Sequence, residues 1–187
     1  MNVILGTPPW NFQAAYGASA SKRSFLSKSY GLIPGESEPL GLLYIASVLS
    51  KNNFNVTFID GYKHTAEEWL GSIEKLKPEI IGLSCTSYIW DNVLGLCEKI
   101  KAAFGTVYTA VGGPHVSGMG ELCLSGNNCV DFAVYGEGEV TFLELCKAIK
   151  NKSGFDNVDG LIYRAKDNVV KNKSRQSIKD LDSISFP

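Results

Sequence analysis

No CxxC or CxxxCxxC spacing occurs in this chain of 187 residues, so neither a zinc knuckle nor the common iron–sulfur cluster can be assembled from its own local motifs. Its five cysteines, Cys85, Cys97, Cys123, Cys129 and Cys146, are odd in number and irregularly spaced, and three fall within apolar helix-like or strand-like patterns. Buried, reduced thiols are the expectation. An excess of charge is also lacking: the net charge is −1 with acids and bases dispersed, which leaves no electrostatic footprint for a phosphate backbone or an anionic membrane surface. Nucleic acid is therefore not an expected partner. No apolar run approaches the roughly 20 residues that cross a bilayer, and no charged stretch with an apolar signal core opens the chain. A cytoplasmic protein without membrane contact is expected. Only two histidines are present, His64 and His115, and neither stands at metal-ligand spacing from another strong ligand, so both are read as solvent-facing loop residues.

What the chain does contain is a repeated alternation of short apolar runs with amphipathic segments, in a length that suits one well-buried domain with a small appendage. The runs Asn2 to Leu5, Val56 to Ile59, Glu79 to Cys85, Thr106 to Val111 and Asp131 to Tyr135 are predicted strands. Between them, a helix begins near Pro39 with Leu40, Leu43, Tyr44 and Val48 as its buried stripe and ends at Asn52-Asn53. Thr65 and Glu68 form a capping-box pattern ahead of Trp69, Ile73 and Leu76, and Pro78 closes that helix. Val93, Cys97, Ile100 and Phe104 share a face of the next helix, with Gly105 as its stop, and a short weak helix covers Ser117 to Leu124. Thr141 and Glu144 resemble a second cap, ahead of Leu145 and Ile149.

Near-continuous apolar strands interleaved with helices predict an α/β fold: a flavodoxin-like five-stranded parallel sheet, order 2-1-3-4-5, covered by helices on both faces through right-handed crossovers. That domain spans residues 1–150. Residues 151–187 read as a small C-terminal hairpin, Leu161 to Ala165 and Val169-Val170 about a turn at Lys166 to Asn168, followed by a linker that stops as though more chain should follow. The segment 6–38 has no clear periodicity but carries Trp10, Phe12, Tyr16, Phe25 and Tyr30, which favours a covering lid over a plain linker.

Chemistry in a parallel sheet concentrates at the carboxyl ends of the strands, where loops leave without blocking the rim. Ser84-Cys85-Thr86-Ser87, Gly112-Gly113-Pro114-His115 and Gly136-Glu137-Gly138-Glu139 all stand there. Glycines let a ligand approach the main chain, and hydroxyls can bond an amide or a phosphate. Each loop taken singly is equally compatible with an ordinary strand-to-helix turn. Glu137 and Glu139 are read as stabilising the positive end of the helix that follows. Asp60 ends the second strand where dinucleotide folds hold a ribose, but Gly6-Thr7-Pro8-Pro9 lacks the glycine fingerprint that site requires.

The ordered series Pro39-Leu40-Gly41-Leu42-Leu43-Tyr44-Ile45-Ala46, Ile81-Gly82-Leu83-Ser84-Cys85, Gly112-Gly113-Pro114-His115, Asp131 to Glu139 and Asp180-Leu181-Asp182-Ser183-Ile184-Ser185-Phe186-Pro187 resembles the N-terminal cobalamin-binding domain of cobalamin-dependent radical S-adenosylmethionine (SAM) enzymes. The resemblance implies a corrin ring on the carboxyl rim, with its dimethylbenzimidazole tail in a groove beside the third and fourth strands. It makes Thr7, Pro8, Ser84, Thr86, Ser87, Gly112, Gly113, Pro114, His115, Gly136, Glu137 and Gly138 the candidate cofactor-binding residues. Of these, Ser84, Thr86, Gly112 and Gly113 would border the tail, and Gly136, Glu137 and Gly138 would lie near its far side or the ring amides. No Asp-x-His-x-x-Gly follows the first strand, so the resemblance implies cobalamin without a protein histidine as lower ligand. It also implies that the 4Fe–4S cluster and S-adenosylmethionine belong to a C-terminal radical SAM barrel, the domain's own partner, and that the whole enzyme passes a methyl group to a small-molecule substrate or performs related radical chemistry. Other readings of the same fold are a docking module that has lost its cofactor, a phosphoacceptor domain, for which clustered acids after the first strand are missing, and half of a glycosyltransferase.

Overall fold

The computed structural model describes residues 1–9, 39–166, 168–184 and 186–187. The expected aromatic lid, with Trp10, Phe12, Tyr16, Phe25 and Tyr30, lies outside the described residues. Among the described residues the strands are β1 (Asn2–Gly6), β2 (Asn55–Ile59), β3 (Ile80–Ser84), β4 (Tyr108–Gly112), β5 (Phe132–Val134), β6 (Leu161–Ala165) and β7 (Asn168–Lys171). The helices are α1 (Leu40–Lys51), α2 (Ala66–Leu76), α3 (Trp90–Ala103), α4 (Pro114–Met119) and α5 (Gly138–Asn151). The first five strands are parallel in the order 2-1-3-4-5, as the sequence predicts. The C-terminal hairpin joins the same sheet, with β6 antiparallel to β5 and β7 on the outside.

Side chains alternate across a strand, so each face of the sheet gathers its own core. Ile4, Ile81, Leu83, Val111 and Ala133 meet Trp69 and Ile73 of α2, Val93, Cys97 and Ile100 of α3, and Val116 of α4. On the opposite face Val3, Leu5, Ile80, Ala110, Phe132 and Val134 meet Leu42 and Leu49 of α1 and Phe142, Leu145 and Cys146 of α5. The predicted capping box forms as expected: Thr65 Oγ1 accepts from the Glu68 N–H at 3.2 Å, and Glu68 Oε2 accepts from the Thr65 N–H at 2.8 Å.

Three local expectations are corrected. In α1 the buried positions are Leu42 and Leu49, while Leu40 is 60% exposed. The segment is apolar almost all round, so its periodicity has no single phase; Val48 packs against the core as expected, with Ile45, but the fully buried positions are Leu42 and Leu49. The weak helix begins earlier than Ser117, because Pro114 with its fixed φ occupies the first turn of α4, and a 3₁₀ turn at Gly120–Cys123 follows. Thr141 does not cap α5. The helix starts three residues earlier, at Gly138, and Thr141 is fully buried within it. Its hydroxyl donates to the Asp159 carbonyl at 2.8 Å and accepts from Arg175 Nε at 2.8 Å, and Glu144 pairs with the Arg175 guanidinium. A tertiary anchor thus imitates the spacing of a cap.

All five thiols are free, as expected. Four are buried, and Cys129 is half-buried. Burial, with a smaller contribution from nearby Cys123, pushes the Cys85 thiol up to about 12. Among the described residues no helix is long and apolar enough to cross a membrane.

Candidate functional site

Parallel register aligns the strand ends: Ser84 stands beside Gly112, and Gly112 beside Val134. On the face covered by α1 and α5, alternation places Gly82, Ser84, Ala110 and Gly112, a patch with almost no side-chain bulk. A cavity of about 370 Å³ opens there, walled by Pro39, Leu42 and Ile45 on the α1 side and by Gly138, Glu139 and Phe142 on the α5 side. Gly82 is needed at its floor. A Cβ there would stand 2.7 Å from both Leu5 Cδ2 and Phe142 Cζ, so only glycine lets that ring lie down on the sheet.

The loop after β4 is tied to the end of β3. Cys85 N–H donates to the Gly112 carbonyl at 2.9 Å, and His115 N–H donates to the Cys85 carbonyl at 3.3 Å. Gly113 sits between these bonds with φ 101° and ψ −173°, and a Cβ on it would lie 2.7 Å from Cys85 O. Glycine is therefore required there by the fold itself. Gly112 is different, because its missing Cβ would meet nothing nearer than Val134 O at 3.6 Å. Its bareness serves the cavity.

Gly136 turns the chain out of β5 at φ 73°, and its N–H donates to Ser117 Oγ at 3.1 Å. Glu137 takes the N-cap position of α5, yet its side chain does not cap the helix. Its Oε2 accepts instead from the Ile178 N–H at 2.7 Å. That bond belongs to a C-terminal strap running back across the rim. Tyr135 Oη donates to the Asn172 carbonyl at 2.6 Å, and Ser47 Oγ in α1 donates to the Phe186 carbonyl at 2.7 Å. The Phe186 ring meets Tyr44 edge-on with centroids 6.0 Å apart.

Of the residues singled out from sequence, Ser84, Gly112, Gly113, Gly136, Glu137 and Gly138 line the cavity together. Thr7, Pro8, Thr86, Ser87, Pro114 and His115 do not line it, but they follow the ends of β1, β3 and β4 on the same rim. Thr7 has a bonding role of its own: Oγ1 accepts from the Gly61 N–H at 2.9 Å, which ties the loop after β1 to the loop after β2. His115 departs from expectation in belonging to a helix and not a loop. It lies in the first turn of α4, half-buried, with its ring 4.5 Å from that of Trp90 and Nδ1 3.0 Å from Ser87 Oγ. His64 is exposed, with Nδ1 2.9 Å from the Asp60 carbonyl. Neither histidine lines the cavity.

The cavity residues that sequence reasoning missed include Gly82 on the floor and Pro39, Leu42, Ile45, Phe142 and Glu139 on the walls. The surplus of apolar residues in α1 and the second acid of Gly136-Glu137-Gly138-Glu139 were the available signals. Glu139 is partly buried, and its Oε2 is closed to solvent with no hydrogen-bond partner among the described residues. Among the described residues no group of three His, Cys, Asp or Glu side chains is placed to hold a metal ion.

The model of the family described as B12 binding domain matches residues 31–146. An uncharacterized methyltransferase of Pyrococcus horikoshii is 32% identical over 151 residues, covering 80% of this chain and 33% of that protein. The cytidylyl-2-hydroxyethylphosphonate methyltransferase of Streptomyces wedmorensis is 29% identical over 161 residues, covering 75% of this chain and 30% of that protein. The chain thus spans about a third of the length of these curated relatives. Among solved structures, the radical SAM methyltransferase TsrM from Kitasatospora setae, with tryptophan substrate and a SAM analog bound, superposes with a TM-score of 0.69 at 16% identity, over 92% of this chain and 30% of that one. The cobalamin-dependent SAM radical enzyme OxsB with aqua-cobalamin bound gives 0.72 at 19% identity, over 94% of this chain and 22% of that one. At such identities the likeness is one of fold.

Proposed function

The chain belongs to the B12-binding domain family, of the kind related to cobalamin-dependent radical SAM enzymes, and on that premise we propose that its rim and cavity together hold methylcobalamin for methyl transfer within a longer protein. The observation that carries this reading is the cavity under the glycine-lined ends of β3 and β4. The residues present fit the group. Gly112 leaves the sheet bare where a flat heterocycle would lie, Gly82 lets the Phe142 ring settle on the sheet beside it, and apolar Leu42 and Ile45 wall the other side. Ser84 offers a hydroxyl at the cavity wall, and Gly113 holds the loop after β4 close against the end of β3.

When bound, cobalamin supplies a cobalt that carries a methyl group. The chain's own residues bind and orient. Gly112, Gly136 and Gly138 admit the tail, while Thr7, Pro8, Thr86, Ser87, Pro114 and His115 form the rim against which the ring would rest. His115 stacks on Trp90 and His64 stands by the Asp60 carbonyl, so neither is assigned as a lower ligand in this reading. The 4Fe–4S cluster and S-adenosylmethionine are assigned to a barrel domain following this one, with residues 151–187 leading towards it.

Anaerobic titration with hydroxocobalamin and methylcobalamin, followed by gel filtration and a visible spectrum of the protein peak, tests the reading. Stoichiometric co-elution is expected, with a spectrum that His64→Ala and His115→Ala leave unchanged. Absence of retention would overturn cofactor binding by the chain, and a spectral change in either histidine variant would overturn the histidine-free lower face.

A further inference from the structure

The C-terminal strap is held unequally at its two ends. Near its start Arg175, with a side chain only 16% exposed, bonds Thr141 Oγ1, the Asp159 carbonyl and the Glu144 carboxylate, which fixes it to α5. Ile178 N–H then bonds Glu137, a residue of the cavity lining. The other end is laid on α1, where Ser47 Oγ donates to the Phe186 carbonyl and the Phe186 ring meets Tyr44, yet Phe186 stays 82% exposed. A charged side chain out of water with several partners is hard to detach, whereas contacts open to solvent exchange readily with water. Between the two attachments stand the walls of the cavity. There α1 meets α5 over a bare residue, Gly138, on which a Cβ would lie 3.0 Å from Ile45 Cδ1.

We propose that the strap is a clasp, fixed on α5 through Arg175 and releasable from α1 at Phe186, and that its release gates the entry and exit of cobalamin; the proposal rests on the function proposed above. Once Phe186 lets go, α1 is free to move away from α5 over Gly138, which offers no side chain to interlock with Ile45. Pro39, Leu42 and Ile45 form the α1 side of the cavity, so that movement widens it. Re-engagement holds the walls about the ligand. The contact that yields is an exposed hydroxyl bond with one ring edge, a class that weights such an equilibrium by roughly two- to tenfold. The clasp is made in the closed form with or without ligand. Weakening it therefore raises the rates of entry and exit by the same factor and leaves the affinity unchanged.

The test uses the full chain as wild type, Ser47→Ala and Phe186→Ala. Stopped-flow absorbance with hydroxocobalamin measures uptake, and displacement of bound hydroxocobalamin by excess methylcobalamin measures release. Both variants should raise the two rates together, about two- to tenfold, with the dissociation constant unchanged. Trypsin cleavage after the exposed Lys179, followed without cofactor, should quicken in step, because the strap must leave the surface to be cut. Cleavage no faster than in wild type would overturn the clasp. Faster release with a matching loss of affinity would also overturn it, being the mark of a merely structural contact with the wall. Cobalamin uptake and release at rates that neither substitution changes would overturn the gate alone, whereas failure of the wild type to take up cobalamin would overturn the underlying function and the gate with it.

Discussion

Alanine at Gly113 should destabilise the fold severely, whereas alanine at Gly112, one peptide away in the same loop, should not. Gly113 occupies φ 101°, ψ −173°, a region essentially confined to glycine, and forcing an L-residue into it costs about 1–3 kcal/mol. A Cβ would also meet Cys85 O at 2.7 Å. That oxygen cannot retreat freely, because it accepts from His115 N–H and its own residue is bonded to the Gly112 carbonyl. Together these effects amount to about 3 kcal/mol, and at about 2–4 °C per kcal/mol for a chain of this size the melting temperature should fall by roughly 6–12 °C. At Gly112 the nearest atom, 3.6 Å away, is an ordinary contact. Restricting the unfolded chain there should offset any small loss, leaving stability within about 1 kcal/mol of wild type. Thermal melts followed by far-ultraviolet circular dichroism measure both. Equal losses at the two positions, or a Gly113→Ala protein that melts like wild type, would refute the reasoning. Gly112→Leu should keep the fold and lose cobalamin retention, since its side chain would enter the cavity.

Arg175→Ala removes bonds to Thr141, Asp159 and Glu144 at once, and should lower stability by about 2–3 kcal/mol in urea unfolding, with Arg175→Lys recovering only part of it. Tyr163 donates to Asp156 Oδ1 at 2.6 Å, and this bond, followed by burial and the Asp156 charge, raises its phenol from 10.0 to about 12. A raised folded-state value means that the bond stabilises fully below pH 10 and is lost as pH climbs towards about 12, a slope that Tyr163→Phe should abolish in pH-dependent melts. Because burial holds the Cys85 thiol up at about 12, Ellman's reagent at pH 8 should modify Cys85 only after denaturant is added; rapid native labelling, mapped by mass spectrometry, would contradict its placement.

The sheet was legible because parallel strands buried on both faces read as unbroken apolar runs, and Val3, Ile4 and Leu5 of β1 are all fully buried. The cap of α2 was legible because both of its partners lie within one turn. The start of α5 was not, since the partners of Thr141 are Asp159 and Arg175, 18 and 34 residues on. The same distance effect hid the division between Glu137 and Glu139. Side by side they look equivalent, and only Ile178, 41 residues downstream, separates them. The glycines at the strand ends could be found by position, but not which were required by the backbone and which left bare for a ligand. That distinction depends on where Cys85 O and Val134 O lie in space.

The C-terminal strap is bonded to the elements that build the pocket. Asn172, Arg175, Ile178 and Phe186 bond to Tyr135, Thr141, Glu137 and Ser47, that is, to the exit of β5, the first turns of α5 and the middle of α1. Those are the two helices that wall the pocket. One stretch of chain thus touches both walls, at Glu137 through the Ile178 N–H and at Tyr44 through the Phe186 ring.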